Sequence, residues 1–298
     1  MVDRRGMLAG AAAYGLWGLF PLYWPLLKPA GAVEILAHRI LWSLVAVGVL
    51  LLVARNWAWI RSLGWRRLGL LTVASVTISI NWGVYIYSVN SGHTLEAALG
   101  YFINPLISVL FGVVIFRERL RAWQWAAMGL GAAAVGVLTV DYGRPPWIAL
   151  TLAGSFAVYG LVKKFAAMPS AESLAVETAV MAAPALVFVL TLGGDATFGT
   201  RGLGHVALFV GAGVVTALPL MLFNAAATRI PMSALGMLQY LAPVLQFLIG
   251  YLVQHEEMPA SRWAGFLLVW TALVVLTSDG LWAGRRARRA LVEPAIAR

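Results

Sequence analysis

The feature that most constrains this chain is an internal duplication of long apolar stretches. Identical residues recur 138 positions apart in the two halves: Pro105 and Pro243, Glu118 and Glu256, and Trp125 and Trp263. Crossing the roughly 30 Å hydrocarbon layer of a bilayer requires about 20 apolar residues in a helix. Each half contains five stretches of that kind, so the sequence predicts ten membrane-spanning helices.

These stretches also decide the fold class. The predicted spans of the first half are 7–27, 33–54, 68–89, 94–116 and 122–140. The predicted spans of the second half are 146–166, 174–192, 205–228, 232–253 and 260–283. They are continuously apolar, whereas strands of a membrane barrel alternate apolar and polar residues. Because a helix satisfies its own backbone hydrogen bonds inside lipid, we predict an all-α integral membrane protein.

The odd number of spans in each half predicts how the halves are related. If the first half starts on one side of the membrane, the second must start on the other side. The two halves are then related by an axis in the membrane plane, which is the inverted-repeat plan of many secondary transporters. We predict a first five-helix repeat at 1–141, a second at 142–284 and a basic cytoplasmic tail at 285–298.

Positive charge predicts the orientation, because arginine and lysine favour cytoplasmic loops. With the N-terminus inside, 17 of the 22 Arg and Lys residues fall in cytoplasmic segments. We therefore expect a multi-pass protein of the cytoplasmic membrane with both termini in the cytoplasm and basic loops facing anionic lipid headgroups. This topology accounts for the net charge of +10 without a nucleic-acid partner.

Few ionisable residues lie inside the predicted spans, and each of them asks for a physical reason. In the second span, Glu34 and His38 share a helix face and Arg39 follows directly. Glu177 lies at the corresponding place in the second half, and Glu96 lies near the start of the fourth span. One interpretation is an interfacial cluster in which Arg39 extends outward to the lipid surface. The other is a charged cavity in which Glu34, His38 or Glu96 carries protons.

Two spans combine a proline with a nearby glycine, a polar side chain and an aromatic ring. The residues are Gly100, Tyr101, Asn104 and Pro105 in the fourth span, and Gly236, Gln239, Tyr240 and Pro243 in the ninth. Proline removes a helical hydrogen bond, and irregular backbone is tolerated in a membrane where it faces protein or a wet cavity. We predict a helix break at both places, with an ordinary proline kink as the alternative.

Aromatic and polar side chains in these zones form the predicted solute site. Its members are Tyr14, Trp17, Trp82, Tyr85, Tyr101, Asn104, Tyr159, Asn224, Gln239 and Tyr240. Trp17 and Trp82 lie deep in their spans, where they could stack on flat or apolar solutes. Plain helix packing is the alternative reading of these two rings.

Several other chemistries find no support in the sequence. There is no Gly-x-x-x-x-Gly-Lys phosphate loop, so we do not expect ATP to drive the chain. The His-Glu-Glu at 255–257 lacks a second histidine at zinc-protease spacing. No serine nucleophile has an evident base. We predict neither an enzyme nor a bound cofactor or metal.

Three segments carry a family resemblance. They read Ala-His-Arg-Ile-Leu-Trp-Ser at 37–43, Leu-Glu-Ala-Ala-Leu-Gly-Tyr-Phe-Ile-Asn-Pro-Leu at 95–106 and Phe-Arg-Glu-Arg-Leu at 116–120. In these segments the chain resembles the RarD permeases, in the EamA branch of the drug/metabolite transporter superfamily. The resemblance implies ten helices in two inverted repeats, with spans 1–4 and 6–9 around a central cavity. It also implies an inner-membrane transporter, usually described as an exporter and labelled for chloramphenicol sensitivity or resistance.

The combined prediction is a secondary transporter that exports small amphipathic metabolites or drugs by alternating access, using the proton gradient. An uncoupled metabolite facilitator and a polytopic membrane enzyme are the alternatives. The expected partners are a small-molecule solute and membrane lipids. The sequence leaves both a monomer and a homodimer open.

Overall fold

Helices make up all the regular structure in the residues described by the computed structural model, which are 3–55, 57–117 and 119–296. The first half contains α1 (Arg4–Gly18), α2 (Phe20–Tyr23), α3 (Ala32–Ala54), α4 (Trp65–Asn90), α5 (Thr94–Phe116) and α6 (Ala122–Tyr142). The second half contains α7 (Trp147–Ala166), α8 (Ser170–Leu192), α9 (Gly202–Ala227), α10 (Met232–Leu238), α11 (Leu241–Leu248) and α12 (Ala260–Ile296). Short 3-10 segments lie at Trp24–Leu27, Ala58–Ser62 and Gly193–Asp195, and a π-helical turn lies at Ile249–Val253.

Nine segments of the described chain are long and apolar enough to cross a membrane, one fewer than predicted. The difference lies in the first predicted span, which is helical but interrupted. The helix α1 ends at Gly18 after 15 residues, and α2 and a 3-10 turn follow it. Pro21 and Pro25 lie at the starts of these two short elements. Because proline has no amide hydrogen, each of these prolines would remove one backbone hydrogen bond from a continuous helix.

The helix boundaries recur at the spacing of the duplicated residues. The starts of α3 and α8 are 138 positions apart, and the same holds for α5 and α10 and for α6 and α12. Glu118, one of the duplicated residues, lies outside the described residues. The predicted basic tail at 285–298 begins within α12, and residues 297 and 298 lie outside the described ranges.

Contacts between loops sort the helix ends into two groups. Arg144, which follows α6, is paired with Glu96 near the start of α5, and Glu256 caps the same helix start. We call this end the arginine-poor end, and its loops are 28–31, 91–93, 143–146, 193–201 and 254–259. We call the opposite end the arginine-rich end, and its described loop residues are 55, 57–64, 117, 119–121, 167–169 and 228–231.

The helices α6 and α12 lie side by side and run antiparallel. At the arginine-rich end, Arg121 is paired with the carboxylate of Asp279. At the arginine-poor end, the Nε atom of Arg262 lies 3.0 Å from a carboxylate oxygen of Asp141. The two aspartates are themselves 138 positions apart. Since α6 and α12 pack mainly on each other and on α5, they lie at the edge of the bundle.

The other long helices form a central bundle in which the two halves interleave. The helix α1 packs on α9, α4 packs on α7, and α3 lies against both α8 and α9. In the duplication, α1, α3 and α4 of the first half correspond to α7, α8 and α9 of the second half. The contact of α1 with α9 therefore has its counterpart in the contact of α7 with α4. The contact of α3 with α9 has its counterpart in the contact of α8 with α4. Buried side chains from both halves meet at its centre, including Trp24, Ile86, Leu152 and Phe209.

Glycine allows the closest helix contacts in this bundle. A Cβ atom added at Gly213 of α9 would lie 2.2 Å from the carbonyl oxygen of Trp42 in α3. A Cβ atom added at Gly100 of α5 would lie 2.8 Å from the carbonyl oxygen of Ala149 in α7. Gly100, predicted to permit either a close approach or a bend beside a helix break, provides a close approach between two regular helices, where only a hydrogen atom fits.

Candidate functional site

The candidate site is built around Arg39, which α3 directs into the bundle. Only 2% of this residue is exposed, although a guanidinium is costly to place inside a membrane. Its Cζ atom lies 3.9 Å from the ring centroid of Trp82, 4.8 Å from that of Trp24 and 5.6 Å from that of Phe20. Its Nε atom donates a 2.9 Å hydrogen bond to Thr216 Oγ1. We call these five residues the Arg39 centre.

The charge of Arg39 has no counter-charge in the part of the chain that the structure describes. No described carboxylate forms an ion pair with it, and its Nη1 atom has no hydrogen-bond partner. The aromatic rings offset part of the cost, since a desolvated cation–π contact contributes about 2 kcal/mol. A ring does not replace the oxygen acceptor that a guanidinium N–H normally finds, so Nη1 keeps unused donors.

Other buried polar atoms around this centre also lack partners. They include the hydroxyl of Tyr85, the indole Nε1 of Trp24 and the side-chain Oε1 of Gln246. Tyr85 lies close enough to Arg39 to interact with it electrostatically, and Gln246 lies beside Tyr85. Buried polar groups without partners are rare in folded proteins, and each one calls for an explanation. Here they surround one buried cation.

Tyr101 connects the Arg39 centre to a neighbouring cavity. Its ring lies 5.7 Å from that of Tyr85 on one side and 6.2 Å from that of Phe156 on the other. Its hydroxyl donates a 3.1 Å hydrogen bond to Asn81 Oδ1. The amide nitrogen of Asn81 in turn donates to Ser155 Oγ at 3.1 Å. This network fixes the position of the Tyr101 ring between α4 and α7.

The cavity has a volume of about 300 Å³ and lies between α5 and α7. Its lining includes Asn104, Ser108, Phe111, Phe156 and Gly160. These residues lie toward the arginine-rich halves of their helices. The Oδ1 atom of Asn104 has no partner in the described chain. The volume is at the lower limit of known small-molecule sites, so the cavity can hold a small solute.

Two of the predicted proton-carrying acids hold loops at the arginine-poor end. Glu34 Oε1 accepts hydrogen bonds from the amide nitrogens of Thr197 at 2.7 Å and Phe198 at 3.2 Å. Glu96 accepts two hydrogen bonds from Arg144, the shorter one 2.9 Å long. These bonds raise the pKa of Arg144 above its ordinary value. Neither acid lines the cavity described above.

Glu177 lies 138 positions after Arg39 and has partners within its own half. Its carboxylate accepts hydrogen bonds from Lys163 at 2.9 Å, Ser173 at 2.6 Å and Tyr159 at 3.2 Å. Tyr159, a predicted solute contact, therefore belongs to an ion-pair network between α7 and α8. The two halves place opposite charges at equivalent positions, and of this pair only the acid has a counter-charge among the described residues.

His38 lies one helical turn after Glu34, as predicted, and packs among aromatic rings. Its ring centroid is 4.6 Å from that of Phe198 in a stacked arrangement and 4.7 Å from that of Phe209. The Nε2 atom is buried and has no hydrogen-bond partner. Of the three predicted proton carriers, His38 is the one with a buried side-chain atom that has no hydrogen-bond partner among the described residues.

Other predicted contact residues are not members of the Arg39 centre. The rings of Tyr14 and Trp17 pack with Phe223 between α1 and α9, at centroid distances of 5.3 Å to each other and 6.0 Å to Phe223. Asn224 is exposed on α9. Tyr240 lines a second cavity, of about 330 Å³, between α5, α10 and α12. The sequence prediction had grouped residues that the fold distributes over several places.

The two predicted helix breaks differ from each other. The helix α5 continues through Pro105, so the first prediction was wrong. One missing hydrogen bond is tolerated where neighbouring helices hold the segment in place. The ninth span is interrupted at Gln239 and Tyr240, three residues after Gly236. Pro243 lies near the start of α11, where a missing amide hydrogen costs little.

Three members of the Arg39 centre, Phe20, Trp24 and Thr216, were not predicted from the sequence. Phe20 and Trp24 lie beside the prolines of the interrupted first span, and a helical periodicity does not predict their positions after such a break. Thr216 is the one hydroxyl residue of α9, and a single hydroxyl in an otherwise apolar span could have indicated a buried polar contact.

Comparison with known proteins places these features in a family. The sequence pattern of the EamA-like transporter family matches residues 4–140 and again residues 145–278. The chain is 58% identical over 293 residues to Protein RarD of Streptomyces exfoliatus, covering 97% of this chain and 93% of that protein. It is 43% identical over 283 residues to the uncharacterized transporter YojE of Bacillus subtilis (strain 168), covering 92% of this chain and 94% of that protein.

A solved crystal structure shares the fold. Its sequence is 20% identical, the TM-score is 0.60, and the match covers 91% of this chain and 96% of that chain. The two family matches together extend over nearly all of both halves. The chain therefore belongs to the EamA-like transporter family, among the RarD permeases of the drug/metabolite transporter superfamily.

Proposed function

We propose that this membrane transporter exports small amphipathic metabolites or drugs across the cytoplasmic membrane by alternating access. The observation that carries the proposal is the composition of the Arg39 centre. Arg39 and Trp82 come from the first half of the chain, and Thr216 comes from the second half. A site shared by two repeats changes its contacts when one repeat moves against the other, which alternating access requires.

The proposal needs two halves of opposite orientation, and two observations support this arrangement. The starts of three pairs of helices recur at an interval of 138 positions, and the equivalent helices α6 and α12 run antiparallel. The positive-inside rule assigns the arginine-rich end and both termini to the cytoplasm. The basic loops would then lie against anionic headgroups of the inner leaflet.

The cavity gives the proposed starting point of export. It lies in the arginine-rich half of the bundle, whereas contacts between the two halves close the arginine-poor end. One of these contacts joins Glu34 to Thr197, and another joins Thr94 to Gln254. A cytoplasmic solute would enter beside Asn104 and Phe156 and leave once these contacts separate.

Proton coupling is assigned to His38 in this proposal. Glu34 and Glu96 are occupied by hydrogen bonds at the arginine-poor end, whereas His38 keeps an unpartnered ring nitrogen. Histidine also changes charge near neutral pH. The hydrogen bonds of Glu34 and Glu96 also support the second candidate function, an uncoupled facilitator. If His38 only packs against Phe198, none of the three predicted residues carries a proton.

The experiment is solute flux in liposomes that contain the purified protein. A metabolite library is first screened for thermal stabilisation of the detergent-solubilised protein, and stabilising solutes are then loaded into liposomes with and without an imposed pH gradient. We expect saturable flux that is absent from protein-free liposomes and faster with the gradient. The variant His38→Gln should keep flux but lose the effect of the gradient.

Each other outcome contradicts a named part of the proposal. Flux that ignores the pH gradient in the wild-type protein would exclude coupling and leave the facilitator. Solutes that bind but never cross would exclude a transporter of these compounds. Chemical conversion of a bound solute or lipid by the purified protein would identify a membrane enzyme.

A further inference from the structure

We propose that Arg39 is a binding site for an anionic group, and that the transported solute is a small carboxylate with an apolar or aromatic body. This inference rests on the proposed transport function and adds the chemical class of the solute. It begins from the absence of a protein counter-charge. Arg39 is 2% exposed and the Nη1 atom of its guanidinium is unpartnered, so one buried positive charge has no counter-charge among the described residues.

Comparison with other arginines of the chain supports this reading. Arg121, Arg144 and Arg262 are all more exposed than Arg39, and each is nevertheless paired with a carboxylate. A structural arginine in this fold thus receives an acid from the protein itself. Arg39 receives three aromatic rings and one hydroxyl, which hold the guanidinium in place without neutralising it.

The unused polar atoms around Arg39 favour an anion over a cation. Arg39 Nη1, the hydroxyl of Tyr85 and the indole nitrogen of Trp24 can all donate hydrogen bonds. A carboxylate accepts several hydrogen bonds at once and matches the planar fork of a guanidinium. An ammonium group would meet like charge at the same place. The unpartnered Oε1 of Gln246, an acceptor, lies beside this set.

The rings that surround the guanidinium define the rest of the solute. Trp82 lies over the guanidinium, and Tyr85 and Tyr101 pack edge to face beside it. These faces offer apolar contact to a flat or hydrophobic body attached to the carboxylate. The route from the cavity runs past Phe156 and Tyr101, so these rings must move when a solute reaches Arg39.

The test uses ligand pairs that differ only in charge: benzoate with benzamide, and indole-3-acetate with indole-3-acetamide. Their affinities are measured on the purified full-length protein by thermal shift and by titration calorimetry at neutral pH. We expect each carboxylate to bind roughly 10- to 100-fold more tightly than its amide, the range of a charge-assisted hydrogen bond. Equal affinities of the wild-type protein for acid and amide, or tighter binding of the amides, would overturn the proposal without any variant.

Two variants test whether the preference for the carboxylate over the amide depends on the Arg39 centre. Arg39→Gln should reduce the ratio of carboxylate to amide affinity to about one, while Arg229→Gln, which removes an exposed arginine elsewhere, should leave the ratio unchanged. Tyr85→Phe removes a single unpartnered hydroxyl and should lower the ratio several-fold, and it serves if Arg39→Gln does not fold. A ratio that survives in Arg39→Gln or in Tyr85→Phe would contradict the assignment to this centre.

Failure of this inference can be distinguished from failure of the transport proposal. Liposomes that move neutral or cationic solutes, with no preference for a carboxylate in binding, would retain the transporter and reject the anion site. A carboxylate that binds through Arg39 but never crosses the membrane would retain the site and reject transport of that solute.

Discussion

At the scale of single residues, the buried charges of this protein fall into two groups. Glu34, Glu96 and Glu177 are all buried, and each accepts several hydrogen bonds from loops or neighbouring helices. Their role is to hold helix ends together inside a medium that does not solvate them. Arg39 is equally buried but has rings instead of an acid. This difference, and not burial alone, is the reason we propose a binding role for Arg39 and a structural one for the acids.

The pair of Glu96 and Arg144 gives a stability prediction. The side chain of Glu96 is 1% exposed and that of Arg144 is 36% exposed. Arg144→Gln therefore leaves a buried carboxylate without its counter-charge, at a place that water can partly reach. We expect a loss of about 1–3 kcal/mol, which is below the full cost of breaking a buried pair because solvent screens the arginine. Thermal unfolding in detergent measures it. Arg229→Gln, whose pair with Asp3 is exposed, should cost less than about 1 kcal/mol, and an equal loss in both variants would contradict the argument.

Glu256 gives a prediction about pH. Burial raises the pKa of its carboxyl group, and the amides of Thr94 and Leu95 oppose the shift. An acid whose folded pKa is raised stabilises the fold most at low pH and loses this contribution as the pH rises through the folded pKa. The Tm of the wild type minus that of Glu256→Gln should therefore fall as the pH rises above about 4.3 and then level off. A difference that grows with pH would show that the amides outweigh burial.

Sequence reasoning could predict which residues carry charge in the spans, but not their partners. Glu34 binds an amide 163 positions away, and Thr216 lies 177 positions from Arg39. Contacts between residues so far apart in the sequence cannot be predicted from a helical face or a short motif. The interfacial interpretation of Arg39 was wrong for the same reason, because only the folded bundle shows that α3 turns this side chain toward Trp24 and Trp82.

At the scale of helices, hydropathy predicted most of the fold because apolar length alone defines a span. It did not predict the interruption of the first span, where Pro21 and Pro25 lie at the starts of two short elements. It also overestimated Pro105, which α5 accommodates without a break. Counting the one backbone hydrogen bond that a proline removes does not include the support that neighbouring helices give. That support decides whether a proline interrupts a membrane helix.

Packing between helices gives a prediction with a matched control on the same element. Gly213→Ala would force a methyl group against the carbonyl oxygen of Trp42, which is a backbone atom and cannot rotate away. We expect α3 and α9 to separate at a cost of about 1–3 kcal/mol or more. Gly204→Ala, which meets no atom within 4 Å, should be neutral or slightly stabilising. Similar thermal midpoints for the two variants would contradict the close contact.

At the scale of the whole molecule, the two halves resemble each other in helix boundaries and in their pattern of contacts, but not in chemistry. Arg39 and Glu177 occupy equivalent positions with opposite charges, and only Glu177 is neutralised by a described partner. The duplication was readable from identical residues in the chain. The chemical asymmetry required the structure, because it depends on which side chains surround each position.

The most direct test of alternating exposure is a reversible crosslink at the closed arginine-poor end. Thr94 Oγ1 and Gln254 Oε1 lie 2.5 Å apart on the two halves, and the chain contains no cysteine. Flux is measured in liposomes with Thr94→Cys/Gln254→Cys, before oxidation, after oxidation and after reduction, with each single variant as control. We predict that the crosslink stops flux and that reduction restores it. Undiminished flux through fully crosslinked protein would contradict the account, because the halves would not need to separate at this end.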